Sequence, residues 1–93
     1  MTGAKANRSR LGAFVAGRLE TAAGMGAAAA SRFLERNADH IERQLRVLAA
    51  WAADDADGPP PCHLLGLGAF DLSDAADALR AEAVRRTRGA SRA

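Results

Sequence analysis

The sequence predicts an all-α fold, a small helical hairpin or bundle, and three observations carry that prediction. Alanine fills 24 of the 93 positions and arginine another 12, and both residues favour helix. β-branched residues are scarce, with one isoleucine, three valines and Thr2, Thr21 and Thr87, and tyrosine is absent; a pleated sheet needs such residues to fill its faces. Apolar residues recur at steps of three and four, the period of a helix face, through most of the chain.

Residues 1–8 are small and polar and read as a flexible basic tail ahead of a single helical domain over 9–88. From Leu11 a stripe runs Leu11, Val15, Leu19, Ala22, Gly26, Ala29 and Phe33. It loses bulk between Ala22 and Ala30, where Gly24 and Gly26 each cost about 1 kcal/mol in a helix relative to alanine. The phase of the stripe survives across the two glycines. The expectation is therefore one long helix over about 9–53, kinked near Gly24.

Ala27 to Ala53 carries the strongest signal. Leu34, Ala38, Ile41, Leu45, Leu48 and Ala52 form a seam, with Phe33, His40 and Val47 on its shoulder. On the outer face Asp39 precedes Arg43, and Glu42 precedes Arg46, by four residues, the favoured order for surface ion pairs on a helix. Periodicity, propensity and charge agree on one amphipathic helix built to lie against others. The seam covers about three heptads, so it suits a bundle as well as a coiled coil.

Gly58 followed by Pro59, Pro60 and Pro61 ends that helix and predicts a proline-rich turn. The apolar Leu64, Leu65, Leu67 and Phe70 would then cap one end of the core. A shorter final helix, about 72–88, is expected to open at Asp71, with Asp74 in capping-box position, and to present Leu72, Ala76, Leu79 and Ala83. Residues 89–93 read as a flexible tail.

Charge is distributed in blocks. Residues 1–18 hold Lys5, Arg8, Arg10 and Arg18 and no acid, whereas residues 54–77 hold six aspartates and no base. Residues 78–93 carry five arginines against Glu82. Should the two basic ends meet, the patch would hold roughly eight net positive charges, enough to attract phosphates. Arg8, Arg10, Arg85, Arg86 and Arg88 are the candidate nucleic-acid contacts. No helix-turn-helix spacing, zinc ligands or aromatic platform accompanies them, so any such binding would be to the backbone.

Catalytic and metal chemistry find little support. Asp54, Asp55 and Asp57 lack the spacing and distal glutamate of a calcium loop. Cys62 and His63 are adjacent, but no third group or oxyanion donor accompanies them, and one cysteine with two histidines does not complete a zinc site. No cofactor, metal or catalytic residue is expected. The single cysteine excludes an internal disulfide, and no uncharged run is long enough to span a bilayer, so a cytoplasmic location is expected. No motif matches a known family residue by residue.

The functional expectation is a small non-enzymatic accessory protein that works through helix packing. It would act as a homo-oligomer, or as a subunit, regulator or inhibitor of a larger complex. Leu34, Ile41, Leu45, Leu48 and Trp51 are the expected protein interface. Nineteen large apolar residues beyond Met1 are few for a chain of this length, and a partner would supply missing burial. The alternative is a basic accessory protein that binds nucleic acid without sequence preference.

Overall fold

A computed structural model describes residues 2–53, 62–64 and 66–92. Three α-helices account for most of them: α1 (Thr2–Ala23), α2 (Ala27–Ala53) and α3 (Ala69–Arg92), with a single 3-10 turn at Cys62–Leu64 before α3. The described residues contain no strand. The proline-rich turn expected at 59–61 lies outside them.

α2 has the bounds that its periodicity predicts. The expected kink at Gly24 is instead a full reversal. Gly24 N–H donates to Thr21 O (3.2 Å) and Met25 N–H to Ala22 O (3.0 Å), tightening the last turn of α1. α2 then opens with Ala30 N–H on Gly26 O at 2.8 Å. After the reversal Phe14 of α1 lies near His40 of α2, ring centroids 6.3 Å apart, and Arg18 reaches Phe33. The two helices are thus antiparallel. Two glycines weaken the helix locally, and no bulky side chain except Met25 holds it straight. Folding back then lets the Leu11–Leu19 stripe find apolar cover.

The helices also reach further than expected at both termini. α1 begins at Thr2, ahead of the expected helix start near residue 9, and Asn7 is buried at 8% exposure. α3 continues to Arg92, past the expected end near 88. At its start Gly68 N–H donates to Asp71 Oδ2 at 2.8 Å. Asp71 therefore reaches back over the first turn, the reciprocal half of a capping box with Gly68 as the cap, and α3 begins at Ala69, two residues before Asp71.

α3 packs along α2 far more extensively than α1 packs on either. Ser31 Oγ meets Thr87 Oγ1 at 2.9 Å, and Arg80 meets Asp39, which fixes an antiparallel register. The core between them is Leu34, Ala38 and Ile41 against Leu72, Ala75, Ala76, Leu79 and Ala83, with Ala30 and Leu64 at its ends. Leu34, Leu72 and Leu79 are fully enclosed, and each burial contributes about 2 kcal/mol. The alanines between them let the two helices approach closely, a packing that bulkier residues would hold apart. Among the described side chains of α1, Ala22 alone joins the buried apolar set, beside the buried polar Asn7, while Leu11, Phe14, Val15 and Leu19 are half-covered.

Candidate interaction surfaces

The seam of α2 divides along its length. Its first half, Leu34 (0% exposed) and Ile41 (3%), is sealed by the chain's own α3. Its second half, Leu45, Leu48 and Trp51, is only half-buried. The expected interface residues are thus not one surface: two form the internal core, and three lie toward the end of α2 where α3 is only beginning. Around them Val47 is 42% exposed, and Phe70, on the first turn of α3 and so at the same end of the bundle, is 86% exposed. Phe70 is the most exposed large apolar residue among those described, and Leu64, two turns of chain away, is buried. Of the apolar residues expected to cap the core, Leu64 and Leu67 pack on it, Phe70 is exposed, and Leu65 lies outside the described residues.

The basic residues separate into two clusters. Arg8 Nη1 donates to Gly66 O at 3.2 Å, tying the start of α1 to the segment just before α3. Arg85, Arg86 and Arg88 lie at the far end of α3, on the order of 25 Å of helix away. Arg8 and Arg10 therefore do not join them, and the combined patch does not form. Within the second cluster Glu82 neutralises part of the charge, accepting from Arg85 Nη1 at 2.9 Å and from Arg86 Nε at 2.7 Å.

A polar node between α2 and α3 has no counterpart in the sequence reading. Arg80 faces three carboxylates at once: Glu35 at 3.5 Å, Asp39 at 2.6 Å and Glu42 at 2.7 Å. Asp39 and Glu42 thus pair across the helix interface rather than with Arg43 and Arg46 on their own helix. The hydrogen bond to Glu42, above all, raises the Arg80 pKa above its ordinary value, against a smaller desolvation cost. The legible signal was the spacing of Glu35, Asp39 and Glu42, four and three residues apart on one stripe beside the seam.

Two open grooves flank α1. One, about 420 Å³, runs between α1 and α2 and is floored by Leu11, Phe14, Ile41 and Leu64. His63 Nε2 and Gln44 Oε1, 2.7 Å apart, close one side of it. The other, about 440 Å³, lies between α1 and α3, with Leu11, Val15 and Leu19 facing Ala75 and with Arg8, Asp71 and Asp74 on its rim. No cluster of three or more metal-ligating side chains occurs among the described residues, and no described helix is long and apolar enough to cross a membrane.

Comparison of the chain with protein-family models, with curated proteins and with solved structures finds no match.

Proposed function

We propose that the chain is a non-enzymatic helical interaction protein that works through helix packing, as a homo-oligomer or as a subunit or regulator of a larger assembly. One observation carries this reading: the second half of the α2 seam is left half-covered at Leu45, Leu48 and Trp51, Val47 on the same stretch of α2 is 42% exposed, and Phe70, on the first turn of α3, is 86% exposed. Apolar side chains left open toward one end of a small protein suit association. Trp51 adds the residue type most enriched at binding hot spots.

The reading is tested with Phe70→Ser and Val47→Ser, whose side chains are exposed and whose loss leaves the core intact. Light scattering and co-purification are expected to show a defined oligomer or complex for the wild type. Both variants are expected to keep its helical circular dichroism and lose that association. Unchanged mass and unchanged co-purification in the double variant would overturn the reading. The alternative, nucleic-acid binding through Arg8, Arg10, Arg85, Arg86 and Arg88, is weakened by the distance between the two clusters and by the pairing of Arg85 and Arg86 with Glu82.

A further inference from the structure

We propose that α1 exchanges between two copies of this chain. The Gly24–Gly26 joint straightens, α1 and α2 become one helix, and each α1 occupies on the other copy the seat it holds here. This goes beyond the interaction reading above: its surface is the seat of α1 and not the Phe70 end of the bundle, and its partner is a second copy.

The seat itself identifies the occupant. α1 lies over apolar residues of α2 and α3 with an open groove on either side, and among its described side chains Ala22 alone joins the buried apolar core. Its ties to the rest of the chain include Arg8 on Gly66 O and Arg18 over the Phe33 ring. An identical helix from a second copy would make every one of these contacts. Exchange therefore costs no interface. What decides it is the joint and the loss of freedom on pairing.

The joint is weakly held. Two backbone hydrogen bonds close it, and neither glycine has a positive φ. A Cβ on Gly26 would meet nothing within 4 Å, and one on Gly24 only Thr21 O at 3.7 Å. The turn thus needs neither glycine for space or for backbone conformation. Their effect is to interrupt a helix whose apolar stripe otherwise keeps its phase from Leu11 to Phe33.

The register fixes where two exchanged chains would cross. Phe14 faces His40, and Arg18 faces Phe33, so the antiparallel pairing of α1 with α2 centres close to Gly26. Two straightened chains that keep this register cross with their joints side by side, on the two-fold axis. Ala22 to Ala30 is small throughout except for Met25. The straightened helices, each on the order of 80 Å long, can approach there without clash.

The experiment uses the full chain with Cys62→Ser, spin-labelled through Ala13→Cys and Arg43→Cys, both exposed sites. It is diluted into excess unlabelled protein so that only distances within one chain are read. With α1 folded back the labels lie under about 25 Å apart, since packed helix axes are separated by about 10 Å. In the exchanged form they sit on one helix, about 45 Å apart. The expected result is that a long distance grows with concentration in step with a dimer seen by sedimentation. In Gly24→Ala/Gly26→Ala it should appear at concentrations lower by about tenfold or more, because alanine favours the straight helix. A dimer that keeps only the short distance would overturn exchange and leave the interaction reading standing. A chain that stays monomeric with the short distance up to millimolar concentration, alanine variant included, would overturn exchange as well. The interaction reading would then rest on heteromeric binding lost in the Phe70 and Val47 variants.

Discussion

Arg80 Nη1 of α3 lies 2.7 Å from Glu42 Oε2 of α2, and the same guanidinium gathers Asp39 and Glu35. Three carboxylates on one helical stripe repel one another unless a cation sits among them. Arg80→Met keeps most of the side chain's apolar stem and removes that cation. The carboxylates are 40–56% exposed and Arg80 is 30% exposed, so solvent screens each pair, and the expected loss is about 1 kcal/mol. Urea denaturation at neutral pH measures it, and raising the salt should narrow the gap between variant and wild type. The direction with pH follows from the raised Arg80 pKa. A basic group that titrates higher when folded stabilises fully below its unfolded pKa and ceases to do so as pH rises through its folded one. Arg80's contribution is therefore constant through the neutral range and fades only in strong alkali.

Leu34 is fully enclosed between α2 and α3. Leu34→Ala should cost about 2–5 kcal/mol, a large part of the stability of so small a domain. Ile41→Asp places an unpaired carboxylate in the same core. It is expected to abolish the cooperative thermal transition seen by circular dichroism, not to yield a folded protein that merely fails to associate. A well-folded Ile41→Asp chain would mean that the α2–α3 core is not the one described.

The α2 helix was legible because three cues coincide over Ala27–Ala53: a heptad-like seam, helix-favouring residues and a charged outer face. The division of its seam was not. Periodicity shows that Leu34 and Leu48 share a face, but not how far a second helix extends along it, and α3 seals the first while only half-covering the second. The reversal at Gly24 is not legible in the sequence for a related reason. A stripe that keeps its phase is compatible with a straight helix and with one that folds back, and the choice lies in tertiary burial of Leu11 to Leu19. Arg80 escaped notice because its partners lie about forty positions away in sequence. Local charge patterns pointed Asp39 and Glu42 at their nearer neighbours.

Gly66 has φ 81° in a turn closed by Leu67 N–H on Leu64 O at 2.9 Å. A side chain in that left-handed conformation is strained. Gly66→Ala should cost about 1 kcal/mol, and it should also disturb the Gly66 carbonyl that Arg8 grips. Two readouts follow: a lower denaturation midpoint and faster amide exchange at the start of α1. Gly12→Ala, at a site where a Cβ meets nothing within 4 Å, serves as the control and should stabilise slightly or be neutral.

Arg18 lies 4.7 Å from the Phe14 ring centroid and 5.9 Å from that of Phe33, so one cation covers an aromatic residue from each of α1 and α2. Partly exposed cation–π contacts are worth about 0.5–1 kcal/mol, little beside the α2–α3 core. For α1 the proportion is different, because its apolar residues are only half-buried and its docking depends on few contacts. Arg18→Ala should therefore leave α2 and α3 almost unchanged while selectively loosening α1. Hydrogen exchange measured residue by residue separates the two. Amides from Leu11 to Thr21 should exchange several-fold faster, and those near Leu34, Ala38 and Leu79 should keep their wild-type protection. Arg18→Lys, which retains the charge but not the planar guanidinium, should fall between. Uniform acceleration across all three helices would instead mean that α1 and the α2–α3 pair unfold as one unit.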